Sequence, residues 1–233
     1  MHPTLARLVE LDTLKTWSLV ATLFGDLDGT ALTGAQIRRL LSHIGIKPEA
    51  IRVALHRLKS DGWITSSKQG REAIYRMTAA AQAETDAVAP DIYTRTETQW
   101  HFQLFEDGPD SKGAILLNKN LAIVPGSPEL ADGALVLRPQ TRDLPAWVAE
   151  TLVSKRLTEI AEALGPLTAS YSELEESVDQ MAFRLLVLHH WRRIALRPGS
   201  WAHASFVTDG PIAQCHRKVI QFLASTDRIP ESL

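Results

Sequence analysis

The chain has 233 residues, 45% of them hydrophobic and 22% charged, with a net charge of −2. That apolar content is enough to bury a core and too high for wholesale disorder. A single cysteine excludes an internal disulfide framework and any zinc site built on two or more thiolates, and it fits a reducing cytoplasmic compartment. No apolar run approaches the ~18 residues that cross a bilayer. Trp17 to Phe24 follows Glu10, Asp12 and Lys15 rather than the basic stretch of a secretory signal, so no membrane association is expected.

The charge is unevenly placed. Between Gln36 and Arg76 nine basic residues meet three acids, a balance of +6 that leaves −8 for the rest of a −2 chain. A basic island in an acidic chain is the pattern of a nucleic-acid-binding module on a regulatory body, and equally of a solvated cationic face.

Leu11, Leu14, Trp17, Ala21 and Phe24 recur at helical spacing and predict a first helix closed by Gly25 and Asp28-Gly29. Thr33 and Gln36 form a capping box with Leu32 and Ile37 placed as its hydrophobic staple, so a second helix runs to Gly45. Pro48 opens a third, whose inner stripe is Ile51, Ala54, Leu55 and Leu58. The period then switches to that of strands over 63–67 and 73–77, joined through Lys68-Gln69-Gly70-Arg71-Glu72. Three helices and a hairpin are the order of a winged helix-turn-helix, and Thr78 caps a linker helix that ends near Pro90.

Beyond the linker, Trp100 to Phe105 alternates like a strand and Ala114 to Asn118 suits a short helix. Leu121 to Val124 and Ala134 to Leu137 are short apolar runs, together suggesting a small α+β sandwich. The remainder is helical. Leu157, Ile160, Ala161 and Leu164 share a face that stops at Gly165-Pro166, and a long helix from Ser172 carries two apolar stripes, as the centre of a bundle does. Arg197-Pro198-Gly199 breaks it, and a last helix runs from about Pro211 to Ala224. The expected fold class is α+β, mainly α, divided into 1–90, 91–150 and 151–233.

In a helix-turn-helix the second helix of the motif presents side chains to the major groove. Here its outer face offers Glu49, Arg52, Val53, His56, Arg57 and Lys59. Arg52 and His56, four apart, point the same way, and an arginine there can bond a guanine bidentately. Lys68, Gln69 and Arg71 at the hairpin tip suit phosphate, and Arg38 and Arg39 are further phosphate contacts. On the long C-terminal helix, Arg184, His189, Arg192 and Arg193 are either a pocket for an anionic effector or charge on the exposed edge of a bundle. No Walker loop, G-x-G-x-x-G, G-x-S-x-G or H-E-x-x-H occurs, and no metal site, cofactor or catalysis is expected; Cys215 beside His216 is not a catalytic pair by sequence adjacency alone.

Two stretches carry a resemblance. Ile51 to Met77, with Arg52, Ala54-Leu55, Arg57-Leu58, Gly62-Trp63 and Tyr75, and the run L-L-V-L-H-H-W-R-R-I-A-L-R-P from Leu185 to Pro198 resemble the PaaX family of phenylacetate-pathway repressors. The resemblance implies an N-terminal winged helix, a central ferredoxin-like domain (for which this segment is short) and a C-terminal helical domain. It also implies a homodimer on a palindromic DNA operator, released by an aryl-CoA thioester. Two alternatives stand beside a repressor: a winged-helix adaptor for an acidic protein partner, and a CoA-thioester enzyme. The effector is expected outside the winged unit, whose inner faces would be filled by its own core, and dimerisation through the long helix or the central segment.

Overall fold

A computed structural model describes residues 1–27, 29–94, 99–106, 113–126, 134–137 and 144–228. Helix α1 (Pro3–Glu10), which the apolar spacing does not mark, opens the chain with proline in its first turn. The Asp12 carboxylate then accepts the Thr13 backbone N–H at 2.7 Å, and the chain bends before α2 (Thr16–Asp26). Leu11 and Leu14 therefore lie between two helices instead of within one.

Strand β1 (Leu32–Thr33) leads into α3 (Gly34–His43), whose capping box forms as its sequence dictates: Thr33 Oγ1 accepts the Gln36 N–H, and Gln36 Oε1 accepts the Thr33 N–H. Gly45, at φ 85°, makes the left-handed turn to α4 (Pro48–Ser60). Ile51, Ala54, Leu55 and Leu58 of α4 are buried, as their spacing requires. Strands β2 (Ile64–Gln69) and β3 (Glu72–Met77) pair from Ile64↔Met77 to Gln69↔Glu72 around a two-residue loop, where Gly70 takes φ 63°. β1 adds a third strand through Leu32↔Tyr75, too short for any periodicity to reveal. Thr78 caps α5 (Ala79–Tyr93). The order of helices and strands is that of a winged helix.

The central strands are β4 (Trp100–Leu104), β5 (Ile115–Asn118), β6 (Leu121–Pro125) and β7 (Leu135–Leu137), in the order β5-β6-β4-β7 and antiparallel throughout. Residues 115–118, expected as helix, are a strand. A single helical turn gains little alone, whereas pairing with β6 satisfies the backbone of both segments. This strand order is that of a ferredoxin-like sheet, and the connections that would carry its helices run through 107–112 and 127–133, outside the described residues.

The C-terminal part comprises α6 (Ala146–Leu152), α7 (Lys155–Leu167), a 3-10 turn (Thr168–Glu173), α8 (Ser177–Ala195), α9 (Pro198–Phe206) and α10 (Pro211–Ser225). Gly165-Pro166 does not end α7, and the long helix starts at Ser177 rather than Ser172. Gly165 serves close packing: a Cβ there would stand 3.2 Å from Cys215 Cα of α10. The break at Arg197-Pro198-Gly199 closes α8 and immediately opens α9. A Cβ on Gly199 would sit 2.1 Å from the Leu152 carbonyl oxygen, so only glycine lets α9 rest on the end of α6.

One buried cluster runs from Leu5 of α1 to Leu223 of α10. Helix α8 is its axis, buried at every position from Met181 to Trp191. Burying one large apolar side chain contributes about 1.5–3 kcal/mol, which makes this helix the largest local source of stability. Two expectations change as a result. Helices α1, α2 and α3 pack on α8, so the inner faces of the winged unit are not filled by that unit alone. The apolar stripes of α8 are covered by this chain's own helices and offer no dimer surface.

Candidate nucleic-acid interface

Helix α4 lies against α2 and α3 on one side and β2 on another, leaving a solvent-facing stripe. With 3.6 residues per turn, Glu49, Arg52, His56 and Lys59 fall within one arc of the helix, while Val53 and Arg57 lie about 100° round from Arg52 and His56. The structure follows that geometry. A groove of about 510 Å³ is lined by Arg38 of α3, by Glu49, Arg52, His56 and Lys59 of α4, and by Ser66 and Tyr75 of the wing. Pro48, Ile51 and Leu55 form its apolar side. Three permanent cations and a histidine face one carboxylate. Lys59 Nζ donates to Ser66 Oγ at 2.7 Å, which fixes the helix to the first wing strand and holds the ammonium at the groove.

Five of the eleven residues singled out for DNA thus share one groove: Arg38, Glu49, Arg52, His56 and Lys59. Val53 is 64% exposed but lies off the groove's lining. Arg57 turns toward α2, where its guanidinium lies over the Trp17 ring at 4.7 Å and its Nε is 3.5 Å from Asp61. Arg39 is exposed on α3, and Lys68, Gln69 and Arg71 are exposed at the wing tip. Sequence reasoning missed Ser66, Tyr75 and Trp17. Tyr75 had a signal, since it follows the wing in a β-prone run, but its place opposite Ser66 is set by the register of β2 and β3.

The cations of α8 behave differently. Arg184 donates from Nε and Nη2 to both oxygens of Asp26, at 2.7 and 2.9 Å, and from Nη1 to the Leu223 and Thr226 carbonyls. Tyr93 donates its hydroxyl proton to the same Asp26 at 3.1 Å. Burial opposes the charge on Arg184, yet the Asp26 carboxylate outweighs it and holds the guanidinium pKa above its ordinary value. Arg193 pairs with Asp12 at 2.5 Å. His189 approaches Thr22, and His190 Nε2 donates to the Leu8 carbonyl at 2.8 Å. Burial, with the charges of His190 and Arg193, pushes His189 down to about 3, and burial pushes His190 down to about 4. Both rings are neutral at pH 7. Of the four residues expected to hold an effector, Arg192 alone lines the cavity where α2, α5 and α8 meet.

Among the described residues, no group of three or more His, Cys, Asp or Glu side chains gathers within reach of one metal ion. Cys215 is buried, and that burial pushes its thiol up to about 12, which keeps it protonated.

Residues 15–81, which take in α2 to the start of α5 and hence the whole groove, match the family profile described as PaaX-like protein. The chain is 23% identical to the transcriptional repressor PaaX of Escherichia coli strain K12, over 79% of this chain and 75% of that protein. Among solved structures it is similar to the uncharacterized protein Rv0674 from Mycobacterium tuberculosis. That likeness has 18% identity and a TM-score of 0.40 over 83% of this chain and 89% of the other, too slight to carry an argument. The family match over 15–81 and the distant homology over most of the chain together make this chain similar to the PaaX-like proteins.

Proposed function

We propose that the chain is a cytoplasmic, non-catalytic transcriptional repressor that binds double-stranded DNA through the α4 groove and the wing. One observation carries this reading. Arg52, His56 and Lys59 of the helix-turn-helix converge with Arg38 of α3 on a single groove beside a basic wing tip, in a chain whose remainder is acidic. Arg52 and His56 are proposed to read base edges, with Val53 beside them. Arg38, Arg39, Arg57, Lys59, Lys68, Gln69 and Arg71 are proposed to meet backbone, and Glu49 belongs to the same DNA-facing surface. The proposed units are 1–90, 91–150 and 151–233.

A palindromic operator requires two such helices about 34–36 Å apart or a multiple of that, hence a homodimer. With α8 covered, the exposed leucines of the central sheet, Leu104, Leu116, Leu135 and Leu137, are the surface proposed for it. The proposed releasing effector is an aryl-CoA or similar thioester, which the family resemblance supports. The test is an electrophoretic shift with the DNA upstream of the protein's own gene and with random duplex, across salt concentrations and with and without aryl-CoA esters. Binding that weakens steeply with salt and prefers the upstream DNA is expected. Absence of any salt-dependent duplex binding overturns the reading.

A further inference from the structure

Helices α2, α5 and α8 meet around a cavity of about 50 Å³, bounded by Thr22, Tyr93, Leu188 and Arg192. Arg192 is the cation inside it. Its Nη1 donates to Thr22 Oγ1 at 2.9 Å, and among the described residues no carboxylate pairs with it. In this it differs from the two other arginines of α8, Arg184 with Asp26 and Arg193 with Asp12. Burial pushes the Arg192 pKa down, the reverse of Arg184. A guanidinium has five N–H donors in a planar fork shaped for an oxyanion. A half-buried one without a counter-charge is costly to keep.

The surroundings have the matching character. His189 is neutral at pH 7 and adds no charge, and the Tyr93 hydroxyl is engaged by Asp26. At the rim stand Arg228, whose guanidinium lies 5.5 Å over the Tyr93 ring, and Asp86, which accepts a hydrogen bond from Gln82. Two cations thus face one exposed acid. The volume suits a few waters or one head group, and it falls far short of the ~300 Å³ at the lower end of drug-sized pockets.

We infer that this cavity binds a single oxyanion group of carboxylate or phosphate size, held by the Arg192 guanidinium, which the Thr22 hydroxyl oxygen orients by accepting from Nη1 while giving its own proton to the Ser18 carbonyl. The oxyanion is either a free small acid or one phosphate of a larger ligand whose body lies outside, beyond Asp86 and Arg228. Helix α2 packs on both α8 and α4, so an oxyanion that favours one arrangement of α2 against α8 changes how α4 is presented. That consequence rests on the repressor reading; the binding itself does not.

The test uses the full chain and no DNA. Thermal unfolding is followed with sodium acetate, sodium benzoate, sodium phosphate and phenylacetyl-CoA, each against chloride at equal ionic strength, in the wild type, Arg192→Met and Arg192→Lys. At least one oxyanion should raise Tm with saturation, at least about tenfold less tightly in Arg192→Met, with part of the affinity kept in Arg192→Lys. Acetate and benzoate acting alone assign a free acid; phosphate and the thioester acting alone assign the phosphate of a larger ligand. Without ligand, Arg192→Met should hold or raise Tm, because an uncompensated cation has gone. The inference is overturned if no oxyanion stabilises the wild type, if Arg192→Met is stabilised equally, or if Arg192→Met is less stable without ligand, which makes Arg192 a brace. Oxyanion binding in a protein without duplex affinity upholds this site and overturns the repressor reading.

Discussion

Arg52 and His56 on α4 and Arg184, His189 and Arg192 on α8 are the same residue types on two helices, yet the two helices use them in opposite ways. On α4 the groove-lining cations project into solvent, and their neighbours leave the charge available. On α8 Arg184 is 3% exposed and locked onto an Asp26 that is 0% exposed, and the two histidines are neutral. The difference lies in what surrounds each helix. Helix α4 is covered by α2, α3 and β2 but left open along one stripe, so its polar residues face water. Helix α8 is buried at every position from Met181 to Trp191, so a charge within that run must find a partner. A basic sequence run therefore marks an interface only where the fold leaves it uncovered.

The comparison breaks most sharply at Asp26. Asp26→Ala should strand the buried Arg184 charge and cost about 3–5 kcal/mol in denaturant unfolding. Removing both charges, as Asp26→Ala with Arg184→Met, should cost less than the two single changes summed, because neither variant charge is then left alone. Arg52→Ala should move stability by no more than about 0.5 kcal/mol. Equal losses at Asp26 and Arg52 would erase the distinction between the helices.

Acid sharpens it next. His189 and His190 titrate in the fold at about 3 and about 4 against an ordinary 6.5, so the unfolded chain takes up protons first as pH falls. Their contribution is fully present above about pH 6.5 and is lost as pH falls toward 4 and then 3, on the order of 2–4 kcal/mol for the pair by pH 5. Denaturation at pH 7 and pH 5 measures it, and His190→Gln should flatten the slope.

On the α4 side, Arg52→Ala should cost about 1–3 kcal/mol of operator affinity and much less on random duplex, since a base contact is lost while phosphate contacts remain. Titration of both duplexes at one salt concentration reads it; equal losses make Arg52 a phosphate contact instead. The smallest effect belongs to the wing. Lys68→Ala with Arg71→Ala should weaken all duplexes and flatten the salt slope by about one to two units. An unchanged slope would remove the wing from the interface.

Local chemistry by itself determined α3, α4 and the wing, because each carries its own signal. A capping box, a proline in the first turn, a single apolar stripe and a Gly turn between β-prone runs need no distant partner to act. For the same reason the exposed candidates Arg52, His56 and Lys59 were legible: the inner stripe fixes the outer one. Tertiary structure alone decided the rest. Residues 115–118 became a strand because β6 lies beside them, and Gly165-Pro166 sits within α7 because α10 presses on Gly165. The roles of Arg184, Arg192 and Arg193 depended on Asp26, Thr22 and Asp12, more than 150 residues away along the chain. Sequence periodicity tells which face of a helix is apolar, but a buried charge is defined by its partner, and only the fold brings that partner to it.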